Sequence, residues 1–502
     1  MRAAAGGVRI RESVWALPLW DDTLLWYAKA VQLMWPRPLH DPTSWRYQAA
    51  IHGYNADNPK LQALAKAGDR EPANAVDVWN QCQHNSWYFL PWHRGYLGCF
   101  EEICREAIRS LDGPADDWAL PYWDYSAEDA DAILVRPEFL SDNWPGSGPN
   151  PLFNGVQRAP FRAVPVQIGS ESAAAGDFGL DQFEVSLAAL TQDDFSAPPR
   201  VASFGGGKTG FSHSGDAPGK LEGTPHGDVH MAIGLAQGER LWMGSFQTAG
   251  LDPIFWLHHC NLDRLWSLWL RRGASKGNPA DPDWESPRSA ISGERMPFLL
   301  SRTGGTPYTF VPKDLVRTET SVFAYRYDND PAFHLKSMLD GVLETEKRAM
   351  TDRKDPELVG GTDRPLFLEG KQASASVALV PSPRVKLFDA VTRARRVRTF
   401  LSLENIVVPD NPVPYRVFLS ASGTSAKGAE PQQLVGTMPL FGAVEASHND
   451  EREAGSGLSY TFDVTEALAG VPDGAELRVS FVPKEETDSP GLRVGKISFY
   501  RG

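Results

Sequence analysis

The chain has 502 residues, a formal net charge of −13, four cysteines and eleven histidines. That length accommodates two to four domains, and 42% apolar with 23% charged residues is ordinary globular composition, which excludes a wholly disordered or collagen-like chain. The acidic balance argues against nucleic-acid binding, which calls for a basic stripe or patch. Four scattered cysteines (Cys82, Cys99, Cys104 and Cys260) are too few for a disulfide scaffold. No window approaches the roughly 18 uncharged apolar residues of a membrane span, and the first residues reach charge before any apolar run of signal-peptide length. A soluble, cytoplasmic protein is the expectation.

In chain order, the first helical signal is Asp41 to Gly53, where Trp45, Ala49 and His52 share one face and Gly53 is a plausible stop. A second helix is expected to begin at Pro91, a good first-turn residue, with His93, Leu97, Phe100 and Cys104 on one side. Two Pro/Gly/Ser-rich stretches, 136–165 and 203–223, are too long to be passive connections. A third helix runs from the cap and first-turn proline of Asp252-Pro253 to Arg271 and Arg272, whose charges suit a helix C-terminus, with Gly273 as its stop. Residues 331–372, with the charged Glu344–Asp355 run, read as a linker that is part helix. Beyond it the pattern alternates at 374–380, 399–408, 415–419, 458–464, 477–482 and 492–500, the spacing of short strands in a sandwich or barrel. The predicted architecture is a mainly α domain at 1–330, a linker at 331–372 and an all-β sandwich at 373–502.

The histidines are concentrated. One cluster is Cys82-Gln-His84 followed by Phe-Leu-Pro-Trp-His93-Arg94, with His52 upstream on its own helix. The other is Glu222-Gly-Thr-Pro-His226-Gly227-Asp-Val-His230, followed by Asp252-Pro-Ile-Phe-Trp-Leu-His258-His259-Cys-Asn-Leu-Asp263-Arg264. His226 and His230 are four apart and share a helix face, a common spacing for metal ligands. His93 and His259 sit in apolar, aromatic helices where an unpaired imidazole is costly. On one helix His84 and His93 would face opposite ways; a helix starting at Pro91 leaves His84 on the preceding segment. Several helices each offering an inward ligand is how bundle-core metal sites are built. All-imidazole ligation suits zinc, copper, iron or nickel, and the lack of a matching carboxylate argues against a non-haem iron triad. Periodicity does not separate His258 from His259, about 100° apart on a helix.

Both clusters resemble the two copper motifs of type-3 copper proteins: tyrosinases, catechol oxidases and molluscan haemocyanins. The resemblance implies a four-helix bundle around two copper ions, one held by His52, His84 and His93, the other by His226, His230 and His259, with His258 behind. Cys82, two before His84, then resembles the cysteine that forms a thioether to the histidine ring in fungal enzymes and molluscan haemocyanins. Glu222 resembles the acid that holds a water for phenol deprotonation, and Phe246 the aromatic gate over the first copper. Gly227 departs from the asparagine of many tyrosinases, which bears against monophenol hydroxylation without excluding it, since members with glycine there include hydroxylases. Tyr325-Arg326-Tyr327 resembles the tyrosine motif that ends the plant catalytic domain, with Arg11 placed to stack on it. The β region is similar to the domain that covers the active site in latent members, with Phe441 the candidate for the apolar side chain in the substrate position.

The function this resemblance implies is a polyphenol oxidase that uses O2 to ortho-hydroxylate monophenols, to oxidise o-diphenols to o-quinones, or both. Phe89, Trp92, Phe246 and Phe255 would wall a dry site for a flat ring. Two copper ions are the expected cofactors, O2 the co-substrate and small phenols the partners, with neither nucleic acid nor membrane; oligomeric state stays open. The alternatives are a haemocyanin-like oxygen carrier, against which a unit without tandem repeats speaks, and an o-aminophenol oxidase.

Overall fold

The computed structural model describes residues 7–127, 130–158, 184–236, 238–272, 277–289, 292–304, 307–328, 356–380, 398–408, 412–421, 432–448, 457–472, 474–487 and 491–502. Five principal helices build the first half. Helix α1 (Asp22–Met34) is capped by the Asp21 carboxylate, which accepts from Thr23 N–H at 2.7 Å, and buries Leu24, Tyr27, Ala28, Val31 and Met34 at helical spacing. Helix α2 (Trp45–His52) starts four residues later than expected, because Asp41 turns on itself instead: its Oδ1 accepts from the Thr43 N–H (2.8 Å) and hydroxyl (2.7 Å). Helix α3 (Phe89–Arg109) starts two residues before Pro91, which still lies in the first turn, where a missing N–H costs nothing. Helix α4 is Asp228–Gly234. Helix α5 (Pro253–Arg271) matches its sequence signals: Asp252 accepts from Ile254 N–H at 3.0 Å and is itself fixed by Arg158 Nε at 2.9 Å. Its expected stop, Gly273, lies outside the described residues.

The long helices α3 and α5 pack on each other, and buried charge sets their register. Arg94 on α3 pairs with Asp263 on α5, which also accepts from the Tyr325 hydroxyl at 2.6 Å and from Tyr327. Arg11 joins this cluster: Nε is 2.8 Å from Glu101 on α3, and its guanidinium lies 3.6 Å from the Tyr325 ring centre, the stacking expected from the sequence. Parallel pairing of β1 (Arg9–Arg11) with β2 (Tyr325–Tyr327) holds the two ends of the helical half together.

The described second half is mainly β, with one short helix at Ala443–Ser447, so the all-β expectation holds for its two sheets but not for this helix. Strands β3 (Glu357–Thr362), β4 (Leu366–Leu368), β6 (Thr399–Val407), β9 (Leu458–Asp463) and β11 (Leu492–Arg501) form one sheet, in which β11 lies between β6 and the β3–β4 edge. Strands β5 (Ala373–Ala378), β10 (Glu476–Pro483), β7 (Tyr415–Ala421) and β8 (Gln433–Met438) form the other, in that order. Leu401, Leu403, Ile497 and Phe499 from the first sheet and Val417, Leu419, Val479 and Phe481 from the second are buried in the common core.

The linker drawn at 331–372 is therefore too long at its C-terminal end. Residues Thr362 and Leu366 already pair with Ile497 and Val494 of β11. Gly360-Gly361 and Pro365 hid this edge by interrupting its alternation. The Glu344–Asp355 run lies outside the described residues. Among the described residues no helix is long and apolar enough to cross a membrane.

Candidate metal centre

Four helices and two irregular segments bring six histidines inward. His52 is the last residue of α2, His93 lies in the first turns of α3, His230 on α4 and His259 on α5. His226 comes from the wide helical turn Glu222–Gly227 that leads into α4. His84 belongs to no helix. It is held by the stretch 207–217: His84 N–H donates to the His213 carbonyl at 3.2 Å, and Gly215 N–H donates to the His84 carbonyl at 2.9 Å. Asn85 Nδ2 donates to Ser214 Oγ at 2.9 Å and Ala217 N–H to the Asn85 carbonyl at 2.9 Å. The long polar stretch 203–223 is thus the clamp for one imidazole.

The hydrogen bonds decide the tautomers. Nδ1 of His52, His93, His226 and His230 faces the backbone carbonyls of Phe246 (2.8 Å), Phe89 (2.8 Å), Glu222 (3.0 Å) and Met243 (2.7 Å). A carbonyl only accepts, so Nδ1 carries the proton and Nε2 turns its lone pair inward. Nε2 of His52 and of His226 is buried with no hydrogen-bond partner, the signature of a donor awaiting an ion. Burial, reinforced by neighbouring imidazoles, keeps His52, His84, His226 and His259 far below the usual histidine range, and burial brings His93 and His230 down to about 3. All six imidazoles are therefore neutral at ordinary pH, the form in which histidine can bind a metal.

The ligand atoms fall into two groups, each within 4.8 Å: His52, Cys82, His84 and His93, and His226, His230, His258 and His259. The groups touch through the rings of His93 and His259, stacked 4.4 Å apart at 9°. His258 lies 5.0 Å from His230, 5.6 Å from His226 and 5.7 Å from Tyr125, so local geometry admits it to the second group beside the three histidines expected there. Cys82 Sγ lies 3.2 Å from His93 Nε2 and 3.7 Å from His84 Nε2, and burial pushes its thiol up.

The other expected site residues converge on the same point. The Phe246 ring lies parallel to His84 at 3.8 Å. Phe441 reaches in from the β domain and stacks on His230 at 3.9 Å and 14°, edge-on to Phe246 (4.8 Å), His226 (5.5 Å) and His84 (5.8 Å). Phe89 and Phe255 complete the wall, 4.6 Å from His226 and 4.3 Å from His259, and Trp92 stands edge-on to His93 at 5.0 Å. Glu222 Oε1 accepts from Asn85 N–H at 2.5 Å while Oε2 is buried and unpartnered; burial pushes this carboxyl up to about 8 against the pull of its N–H donors. A residual cavity of only about 10 Å³, lined by His84, Glu222, His226, Gly227, Pro439 and Phe441 among others, remains beside the histidines. A cavity of about 1460 Å³ lies between the two halves of the chain and is lined by none of these histidines.

Sequence reasoning missed His213 and Asn85. His213 Nε2 donates to the His52 carbonyl at 3.1 Å and its ring lies 5.4 Å from Phe246, so one loop histidine ties the end of α2 to the His84 segment. The one available signal was its place in a long polar stretch already marked as functional.

A helical bundle that turns two adjoining groups of buried, neutral imidazoles toward each other defines a dinuclear metal protein. The profile of the common central domain of tyrosinase matches residues 42–272, and a domain family of unknown function matches 355–502. The chain is 34% identical to tyrosinase HcTyr1 of a Hahella species over 98% of its own length and 99% of that protein's. A chloroplastic polyphenol oxidase of Malus domestica is 32% identical over 51% of the chain and 40% of the plant protein. Among solved structures, a recombinantly expressed latent aurone synthase (polyphenol oxidase) superposes with a TM-score of 0.63 at 23% identity, covering all of this chain and 91% of that one. Latent apple tyrosinase superposes with a TM-score of 0.61 at 21% identity, covering 100% and 99%. The chain belongs to the tyrosinase family. It is a copper oxidoreductase of the tyrosinase and polyphenol oxidase kind, acting on phenolic substrates.

Proposed function

We propose that the chain is a latent polyphenol oxidase in which residues up to 328 carry the catalysis and residues 356–502 cover it. One observation carries the reading: the Phe441 ring stacks on His230 where a flat phenol would lie, and almost no free volume remains around it. His52, His84 and His93 hold one copper, and His226, His230 and His259 the other. His259 is preferred to His258 because its ring stacks on His93 across the two groups, whereas the ring contacts of His258 are to its own group (His230 at 5.0 Å, His226 at 5.6 Å) and to Tyr125 at 5.7 Å. When bound, the copper pair supplies two-electron oxidation with O2 as co-substrate.

The chain's own residues do the rest. Phe246, Phe255 and Phe89 exclude water and orient an aromatic ring against His230 once Phe441 withdraws. The free Oε2 of Glu222 takes the phenolic proton in its ionised form, which burial confines to pH values above about 8, so this base gains as pH rises. Gly227 places no side chain beside this carboxyl, which favours o-diphenol oxidation over monophenol hydroxylation. Cys82, beside the Nε2 edge of His84, forms a carbon–sulfur bond to that ring: its S–H and one ring C–H bond break, and the two protons and two electrons pass to O2, giving hydrogen peroxide.

Oxygen uptake with catechol, tyrosine and o-aminophenol on the copper-loaded chain and on its Phe441→Gly variant tests the reading. Withdrawing a phenyl ring worth about 1.5–3 kcal/mol of burial should raise catechol turnover roughly tenfold to a hundredfold. Faster oxygen uptake with o-aminophenol than with catechol would reassign the substrate. No oxygen uptake with any of the three, in either protein, would defeat the enzyme reading.

A further inference from the structure

We infer that Gly227 is the seat on which the β domain closes: the side chain missing at 227 makes room for the Pro439 ring, so residue 227 decides whether the covering loop docks. The inference rests on the plug reading of Phe441 and names the residue in the helical half that lets the plug in.

Gly227 has φ −63° and ψ −36°, ordinary right-handed helix that any residue adopts, so backbone freedom does not account for it. A Cβ built there would lie 2.7 Å from Pro439 Cγ and 3.0 Å from Pro439 Cβ; its next neighbour, the Glu222 carbonyl, is 3.5 Å away. The helical half tolerates a side chain at 227, whereas the docked loop does not. The arrangement is reciprocal. Gly442 in the loop has φ +74°, and a Cβ on it would meet the Phe246 ring at 2.1 Å. Each half omits a side chain where the other inserts a ring, Pro439 over Gly227 and Phe246 over Gly442.

Pro439 has little freedom to yield. It follows Met438, the fully buried end of β8, and precedes Leu440, whose φ is +62° and whose N–H donates to the Tyr460 hydroxyl at 3.2 Å. Two residues before it, the Thr437 hydroxyl donates to Asp228 Oδ2 at 2.8 Å, and two residues after it Phe441 lies on His230. The loop is pinned from 437 to 442, so an added methyl at 227 displaces it as a unit and lifts the Phe441 ring. Because dispersion contacts lose a quarter to half their strength over a gap of about 0.5–1 Å, a small lift is enough to release the ring. A side chain at 227 and a docked loop are mutually exclusive states of this site.

The test uses the full chain without metal, read by hydrogen exchange at loop amides 440–443, with helix α5 as the internal control for folding. Gly227→Ala should raise loop exchange roughly tenfold, as forcing a methyl into a closed contact requires, while α5 stays protected. Adding Pro439→Gly should return it toward the parent value. Pro439→Phe, which enlarges the same contact from the loop side and leaves the helical half native, should open the loop as Gly227→Ala does. It also decides the matter if Gly227→Ala fails to fold. Loop exchange unchanged in both Gly227→Ala and Pro439→Phe would overturn the inference. The plug reading fails separately: if Phe441→Gly leaves catechol turnover of the copper-loaded chain unchanged, the plug is wrong, while the exchange data still report on the seat.

Discussion

In the second imidazole group every histidine rides on a helix or on its entry turn, and two of them, His226 and His230, come from one short stretch of chain. The first group draws His84 from an extended segment that is positioned by residues 207–217, about 130 positions away, and carries Cys82 instead of a fourth histidine. Local helix geometry builds the one, long-range backbone pairing the other. The two covering rings follow the same division, because Phe441 lies on the helix-borne His230 while Phe246 lies on the loop-borne His84. The first group should be the softer of the two, more dependent on its clamp and on any covalent restraint of His84, and the second the firmer surface against which a substrate ring is laid.

The largest effect should come from exchanging the two adjacent histidines. His259→Ala is expected to leave one copper per chain and abolish activity. His258→Ala should keep both coppers and lose no more than the roughly 10–100-fold typical of a residue behind the ligands. Copper analysis of both variants checks this, and the reverse pattern would move the second site one residue along α5. Next in size is the clamp. Ser214→Ala strands the buried Asn85 amide, which should cost about 1–3 kcal/mol of stability and release copper from the first group before the second. Simultaneous release would erase the distinction drawn between them. An intact mass two hydrogens below the sequence mass, unchanged by reductant, should mark the Cys82–His84 bond; full alkylation of Cys82 in denaturant would show that His84 relies on backbone pairing alone.

The smallest effect concerns α2. Burial pushes Asp69 up, but the bonds it accepts from Arg46 on that helix and from the N–H groups of Leu39 and Lys66 outweigh burial and hold it at about 2. A folded pKa below the unfolded one, about 3.9, means stabilisation present above that value and lost as pH falls through 2. Asp69→Asn should therefore lower Tm at pH 7 by an amount equivalent to about 1 kcal/mol, and the two melting curves should converge as the medium is acidified toward pH 2.

What the sequence made legible was local. The start of α5 is written in Asp252-Pro253 because the cap and the first-turn proline act within three residues of each other. The alternating strands were readable where one face is buried throughout, as in β9 and β10. Strands β3 and β8 were not, since Gly360-Gly361 and Gly436 break the alternation and pairing with β11 and β7 fixes them from outside. The His84 clamp was invisible for the same reason: no pattern within 207–217 says that its backbone will pair with His84, Asn85 and Trp87. Phe441 was suggested by family resemblance alone, because its partners His230, His226 and Phe246 are all about 200 residues away.

The flat contact between Phe441 and His230 has a consequence for measurement. On the proposed plug reading, an aromatic ligand arriving from solution competes with a ring the protein already supplies, so its apparent dissociation constant is the intrinsic one divided by the fraction of molecules whose ring has withdrawn. With one molecule in about a hundred open, a planar inhibitor binds about a hundredfold more weakly than the bare site would allow, about 2.7 kcal/mol. Inhibition constants taken on the full chain and on Phe441→Gly thus form a ratio that reads out the opening equilibrium, in the same units for every ligand that uses the His230 face.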